Sequence, residues 1–357
     1  MAASSQEAVL SNTVPSKAAP SKIAVLGGGS FGTAVANMVA ANGHRVVLWM
    51  RDQKNAAQCE QSHENARYLP GYPLEPTLQF SSDLQATLKS CDTIFFSVPS
   101  KAFRKLAQQA CPLIPSGTKV ISTAKGIEAQ TFKLMSEILE EELPQARVGV
   151  ISGPNLAKEI AKKAITATVV ASADEGLCSD VQELLSSRYF RVYANSDRFG
   201  VELAGALKNI YAIAAGMSAA MKMGQNTVSV LITRSLAEMS RFAANLGANP
   251  MTFLGLSGVG DLFVTCTSPL SRNFQVGFAL GEGLTIEQAT EKVGQVAEGI
   301  NTTRIIKEEA EQLDIYMPLV NALYETMFNQ RPVNEVLSAL MLAEQNSDVE
   351  FTVTKDV

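Results

Sequence analysis

Residues Lys22 to Gly43 read K-I-A-V-L-G-G-G-S-F-G-T-A-V-A-N-M-V-A-A-N-G. Ile23 to Leu26 is an apolar run too short for a helix and closed by glycine, which predicts a buried strand. Gly27, Gly29 and Gly32 follow at G-x-G-x-x-G spacing. An alanine-rich apolar segment, helical in character, then ends at Asn42-Gly43. Strand, glycine turn and helix in this order set bare backbone N–H groups and a positive helix end where a pyrophosphate can sit. Gly27 permits the tight turn, Gly29 lets the backbone approach the phosphates, and Gly32 lets helix pack closely on strand. The frame carries this reading, because the glycine spacing alone also fits a plain turn. The expected cofactor is a dinucleotide, NAD or NADP.

Moving outward, Arg45–Trp49, Thr93–Val98, Thr118–Thr123 and Arg147–Ser152 read as further strands, and the β-branched run Ile165–Ala171 adds one more. Helical patterns lie between most of them, and residues 53–76 read as helix followed by a proline-punctuated loop. Alternation of this kind predicts an α/β, Rossmann-like, doubly wound parallel sheet. In such folds the residue just past the second strand meets the adenosine ribose. Arg51 and Asp52 stand there. Arg51 suits a 2′-phosphate or an adenine face; Asp52 suits a free 2′-hydroxyl or a helix cap; a solvated turn is the alternative for both. Ligands bind beyond the carboxyl ends of the strands, which singles out Ser97, Lys125 and Asn155. From about Asp197 strand signals stop and long helical segments run on. The expected organisation is a disordered tail over 1–20, a dinucleotide-binding domain over 21–195, an all-α substrate domain over 196–345 and a C-terminal tail over 346–357.

The 357-residue chain is 46% hydrophobic and 18% charged with a net charge of −5, a globular composition that asks for neither nucleic acid nor an anionic membrane. An anionic substrate must therefore be held by local lysines and arginines. Cys59, Cys91, Cys111, Cys178 and Cys266 are scattered and odd in number, with no C-x-x-C pair. That fits a reducing compartment and no metal site. With only His44 and His63 present, both in surface-like settings, a histidine base is poorly supported, so lysine or a carboxylate must move any proton. The first twenty residues lack a secretory core and carry no arginine. A cytoplasmic location is expected, with a plastid or other organelle as the alternative if this tail is a transit-peptide remnant.

The segment Phe199–Met221 is apolar or small nearly all round, the mark of a buried or membrane helix. Glu202, Lys208 and Asn209 interrupt any run of spanning length, so burial is expected. An ammonium on such a helix is costly unless a carboxylate or ligand meets it, and desolvation lowers its pKa. Lys208 is thus a candidate acid–base group, against the alternative that its head reaches solvent. In Gly255–Asn273 the glycine turns bring Asp261 into an apolar setting, where it can pair with Lys208 or cap a helix. Ser271-Arg272-Asn273 opens a helix, and an arginine at a helix start can grip a phosphate. Glu298, in Q-V-A-E-G, can approach the cofactor, although its spacing fits a capping or surface carboxylate better.

Taken in order, G-G-G-S-F-G at 27–32, L-W-M-R-D at 48–52, A-K-G at 124–126, S-G-P-N-L-A-K-E at 152–159, G-A-L-K-N at 205–209, G-V-G-D-L at 258–262, S-R-N at 271–273 and V-A-E-G at 296–299 resemble the bacterial and plastid type of sn-glycerol-3-phosphate dehydrogenase [NAD(P)+] over residues 22–345. The resemblance implies reversible reduction of dihydroxyacetone phosphate by NAD(P)H to sn-glycerol 3-phosphate, feeding glycerolipid synthesis, by a homodimer. Matched motif by motif, it implies Lys208 as proton donor or acceptor, Lys125 as a second cation at substrate and nicotinamide, and Asp261 orienting Lys208. Gly153, Asn155, Thr265, Ser271, Arg272 and Asn273 match substrate contacts. Gly27, Gly29, Ser30, Phe31, Gly32, Arg51, Lys125, Ala157, Arg272, Val296 and Glu298 match cofactor contacts. Two rivals remain: a β-hydroxyacid dehydrogenase, which would not need Arg272, and a non-catalytic NAD(P)H-sensing protein, against which two lysines at site positions argue.

Overall fold

The computed structural model describes residues 22–342, so the expected tails at 1–20 and 346–357 lie outside the described residues. Eight strands form one sheet: β1 (Lys22–Leu26), β2 (Arg45–Trp49), β3 (Gln79–Ser81), β4 (Thr93–Phe96), β5 (Lys119–Ser122), β6 (Arg147–Ser152), β7 (Thr166–Ala171) and β8 (Phe190–Asn195). Around them run α1 (Ser30–Ala41), α2 (Gln53–Ser62), α3 (Leu84–Leu88), α4 (Ser100–Ala110), α5 (Met135–Glu142), α6 (Ala157–Ala161) and α7 (Glu175–Leu185). The helical part comprises α8 (Arg198–Ala220), α9 (Gly224–Asn245), α10 (Asp261–Thr267), α11 (Arg272–Gly281), α12 (Ile286–Val293), α13 (Glu298–Gln312), α14 (Pro318–Phe328) and α15 (Val333–Met341).

The strand order is β3-β2-β1-β4-β5-β6-β7-β8. Successive residues of β1 point to opposite faces, and the cores divide accordingly. Ile23 and Val25 join one apolar cluster with Val35 and Val39 of α1 and Leu177 of α7, while Ala24 and Leu26 join another with Phe103 of α4 and Ile138 of α5. The order reverses between β1 and β4, which opens a crevice at their carboxyl ends.

The sheet departs from the expected all-parallel arrangement at one pairing: β6 and β7 run antiparallel. The link between them holds only the five-residue α6. A helix that short spans about 7.5 Å, too little to return along a six-residue strand of about 20 Å, so the chain folds straight back. Ile165, expected to open β7, is instead 91% exposed just before it. The sequence reading also passed over β3, three residues long, and β8, an edge strand whose Arg191 and Tyr193 face out.

Nearly every residue of α8 from Gly200 to Ser218 is buried, Lys208 included, so its all-round apolar pattern marks a helix enclosed by its neighbours. Leu203, Leu207, Ile210 and Tyr211 pack with Phe242 of α9, Ile306 of α13 and Leu323 of α14. Two buried carboxyls tie this bundle together. Glu202 accepts from the Ser136 backbone N–H at 3.0 Å and from its hydroxyl at 2.5 Å, joining α8 to α5. Glu238 accepts from the Tyr211 hydroxyl at 3.1 Å and from the Leu319 N–H at the start of α14 at 2.5 Å. Burial pushes both carboxyls up to about 7. No helix among the described residues is long and apolar enough to cross a membrane.

Candidate active site

The glycine turn sits at the carboxyl end of β1, and α1 begins at Ser30 with Gly29 as its cap. No side chain caps this end and its first turn holds no acidic residue, so its leading N–H groups lack intrahelical acceptors. The three glycines differ in what surrounds them. A Cβ on Gly27 would lie 2.5 Å from the Ser97 carbonyl oxygen, at φ +121°, and one on Gly32 would lie 2.0 Å from the Gly27 carbonyl. Those two are glycine because the protein itself crowds them. A Cβ on Gly29 would meet nothing within 4 Å. An open face beside bare N–H groups at a helix N-terminus is the shape a pyrophosphate fits. The residues present therefore suit a dinucleotide. Phe31 packs partly buried against the α1 side of the sheet, as does Ala157 at the start of α6. Arg51 is exposed at the end of β2. Of the two readings for Asp52, the structure shows the cap: its carboxylate accepts from the Lys54 and Asn55 N–H groups and pairs with Arg67 at 2.9 Å.

Beyond the ends of β4, β5 and β6, the loops meet α8 and α10. Lys125 follows β5 closely and donates to the Gly153 carbonyl, just past β6, at 2.8 Å. It also hydrogen-bonds Oδ2 of Asp261. Lys208, 5% exposed in the middle of α8, lies 3.0 Å from the other oxygen of the same carboxylate and donates to the Thr265 hydroxyl at 2.5 Å. Thr265 stands one turn after Asp261 on α10 and donates in turn to Asp261 Oδ1 at 3.3 Å. Asp261 is the first residue of α10 and 1% exposed, where the helix N-terminus favours its negative charge. One carboxylate thus bridges two ammonium groups brought from chain positions 83 residues apart, and the cluster carries a net charge of +1. Each ammonium has three N–H groups, and on each one is left without a partner among the described residues. Desolvation, together with the neighbouring Lys208 charge, pulls Lys125 down to about 8 against the opposing pull of Asp261.

The remaining expected contacts surround this cluster. Asn155 donates to the Thr168 hydroxyl at 2.9 Å, while its buried Oδ1 has no donor among the described residues. Ser271 caps α11, its hydroxyl accepting from the Phe274 N–H at 3.3 Å. Arg272, in the first turn of α11, is accessible to solvent. Protein nevertheless walls it in enough that desolvation lowers its pKa, with Glu298 pulling the other way. A cation both wet and walled in is one at the edge of a cleft. Asn273 links two segments: Nδ2 donates to Asn209 Oδ1 at 2.8 Å and Oδ1 accepts from the Gly299 N–H at 2.9 Å, which leaves a second Nδ2 hydrogen. Glu298 accepts from the Ser100 N–H at 3.1 Å and from its hydroxyl at 2.7 Å, across the crevice. Val296 is exposed in the approach to α13.

Sequence reading gave no role to Ser100, Thr123 or Asn209. Ser97 and Thr123 hydroxyls lie 2.7 Å apart at the ends of β4 and β5. Asn209 donates to the Lys125 carbonyl at 3.3 Å. A polar residue beside Lys208 on an apolar helix was a signal for Asn209; a serine after Val98-Pro99 gave no comparable one.

Comparisons with known proteins identify the family. Residues 22–178 match the family model described as NAD-dependent glycerol-3-phosphate dehydrogenase N-terminus, and residues 197–338 match the corresponding C-terminus. Glycerol-3-phosphate dehydrogenase [NAD(P)+] from Ectopseudomonas mendocina is 59% identical over 332 residues, covering 93% of this chain and 97% of the relative. The protein of that name from Pseudomonas fluorescens SBW25 is 60% identical over 333 residues, covering 93% and 97%. Among solved structures, glycerol-3-phosphate dehydrogenase from Coxiella burnetii superposes with a TM-score of 0.87 at 38% identity, covering 91% of this chain and 99% of that one.

Proposed function

The chain belongs to the NAD-dependent glycerol-3-phosphate dehydrogenase family, and from that premise we propose how its residues carry the reaction. It is an NAD(P)-dependent oxidoreductase acting on a CH–OH group, interconverting dihydroxyacetone phosphate and sn-glycerol 3-phosphate. The observation that carries the mechanism is the Asp261 carboxylate clamped between Lys125 and Lys208.

The first turn of α1, with Gly29 open beside it, holds the pyrophosphate; Ser30, Phe31 and Arg51 line the path to the adenosine. The bound nicotinamide supplies a hydride to C2 of the ketone, or accepts one from C2 of the alcohol. Lys208 holds the proton that the C2 oxygen takes up in the reducing direction and receives it in the oxidising one. Asp261 and Thr265 fix two of its N–H groups and aim the third. Lys125, held at Gly153 and Asp261, directs its remaining N–H at the same oxygen and stabilises the negative charge that develops there. Arg272 and the free N–H groups opening α11 grip the phosphate, with Asn155 as acceptor for a substrate hydroxyl. Asn273 acts from behind, by seating Asn209 and Gly299.

Five free cysteines fit a reducing compartment, in keeping with a cytoplasmic location, and the family resemblance implies a homodimer supplying glycerolipid synthesis. Pure protein mixed with dihydroxyacetone phosphate and NADH or NADPH consumes the reduced coenzyme. Folded protein that consumes neither, while NAD(P)H still binds, is the outcome expected of a coenzyme sensor and sinks the assignment.

A further inference from the structure

The two lysines reach the crevice from different parts of the molecule, Lys125 from the sheet and Lys208 from the helical bundle, and Asp261 spans them at their heads; a second set of contacts links the backbones that carry them. A closed circuit of contacts runs around the site. Glu298 accepts two hydrogen bonds from Ser100, at the N-terminus of α4, whose own cap Pro99 offers no side chain to it. The next residue, Gly299, lies so close to α8 that a Cβ there would be 2.4 Å from the Asn209 carbonyl oxygen. Its N–H is held by Asn273, Asn273 by Asn209, and Asn209 Nδ2 reaches back to the Lys125 carbonyl. Gly126, beside Lys125, completes the circuit: a Cβ on it would lie 2.8 Å from Ser100 Cβ and 3.3 Å from Glu298 Oε2. Hydrogen bonds of this circuit cross between sheet and bundle from Asn209 to Lys125 and from Ser100 to Glu298.

We propose that Ser100 is a positioning residue for the reaction: it latches Glu298 across the crevice and so fixes Lys208 in register with Lys125. The inference rests on the catalytic reading above. Ser100 is 8% exposed and touches neither lysine head, so it acts through Glu298 and the α13–α8 packing. Its bonds to Glu298 span 198 residues of chain, and the carboxylate at the start of α4 complements that helix's positive end. The 11-residue α4 is thereby capped by the other half of the molecule.

The test compares Ser100→Ala and Ser100→Thr with the unaltered protein, measuring kcat and KM for dihydroxyacetone phosphate, the Kd for NADH by fluorescence titration, and the melting temperature. Ser100→Ala deletes the 2.7 Å bond and is expected to lower kcat about tenfold while NADH affinity changes less than threefold. Ser100→Thr restores a hydroxyl and at least half of the lost kcat. A kcat for Ser100→Ala within twofold of the unaltered protein overturns the latch, as does a loss of NADH affinity equal to the loss of kcat. A loss of kcat that threonine does not restore also overturns it. If Ser100→Ala fails to fold, Glu298→Gln supplies the same comparison through hydrogen exchange in coenzyme-free protein. Protection of the first turn of α4 should then fall at least tenfold, and unchanged protection refutes the proposal. Failure of the unaltered protein to turn over the triose phosphate would refute the catalytic reading instead, so the two failures are distinguishable.

Discussion

Replacing Asp261 by asparagine tests the site most directly, because one group holds both cations. The carboxylate hydrogen-bonds Lys125 through one oxygen and forms an ion pair with Lys208 through the other, at 1% exposure. A hydrogen bond to a charged partner contributes about 1.5–3 kcal/mol. At about 1.4 kcal/mol per pKa unit, losing it shifts Lys125 by roughly one to two units toward neutrality. Lys125, already near 8 through desolvation and its lysine neighbour, should fall to about 6–7. The same change leaves two buried ammonium groups facing each other at acid pH, which costs on the order of 3–5 kcal/mol. Lys125 is a base with a depressed folded-state pKa, so between that value and 10.5 the folded chain binds fewer protons than the unfolded one. Stability therefore rises with pH over that window and is lost as pH falls through the folded pKa. In the unaltered protein the window opens near 8; in Asp261→Asn it should open one to two units lower. The assay is the pH dependence of kcat/KM for dihydroxyacetone phosphate, paired with urea midpoints from pH 5 to 10. A kinetic limb that stays near 8 in the variant, or midpoints that track the unaltered protein at every pH, would refute the shared-carboxylate reasoning.

Four further outcomes follow from the same geometry. Lys208→Ala should abolish turnover yet bind NADH within about threefold of normal by fluorescence titration; near-normal kcat removes Lys208 from its role. Arg272→Ala should weaken the phosphorylated substrate by about 1.5–3 kcal/mol, a KM increase of roughly ten- to a hundredfold, with NADH affinity the lesser loss; an unchanged KM counts against the phosphate grip. Gly29→Ala should fold with an unchanged melting temperature, since its Cβ meets nothing within 4 Å, yet lose coenzyme affinity; tight NADH binding would show that the open face is not where phosphate lies. Glu202 and Glu238, pushed up to about 7 by burial, bind protons in the folded chain that the unfolded chain has released. Their contribution is complete below about 4.5 and is lost as pH rises through about 7, on the order of 3 kcal/mol each. A Glu202→Gln variant should flatten the fall in melting temperature between pH 5 and 7, and an equally steep fall in both proteins contradicts the burial argument.

What the sequence made legible was whatever a local pattern encodes. β2 and β6 run over the residues expected, because a buried strand in a parallel sheet is a continuous apolar run with sharp ends. The burial of Lys208 followed from a helix with no polar face. The edge strand β8 escaped because half its residues face outward and its run is short. β7 was expected within one residue, but its direction was not, because direction depends on connection length, which strand patterns do not carry. At the site, each lysine was visible alone, and Asp261 was expected to meet Lys208; that it also meets Lys125 was not, since nothing local to Lys125 points to a residue 136 positions on. Ser100 and Asn209 act through bonds to distant segments, and Asn273, expected at the substrate, also joins Asn209 to Gly299.

The charge balance of the cluster bears on which substrates it favours. Lys125 and Lys208 share one carboxylate, Arg272 stands close enough to Glu298 for the two charges to feel each other, and the protein as a whole carries a net charge of −5. The two lysines and Asp261 therefore hold one uncompensated positive charge in a walled crevice, where an effective dielectric well below that of water enlarges every unpaired interaction. Desolvation, with the Lys208 charge adding to it, depresses Lys125 against the pull of Asp261. A substrate that brings a phosphate to Arg272 and an oxygen to the two lysine N–H groups supplies the missing negative charge in the ground state. On the proposed reading, charge growing on that oxygen in the transition state would tighten both N–H groups on it. A neutral triose could make the second contact but not the first. It would leave Arg272 wet and the cluster less well placed, so the penalty for dropping the phosphate should fall on kcat as well as on KM.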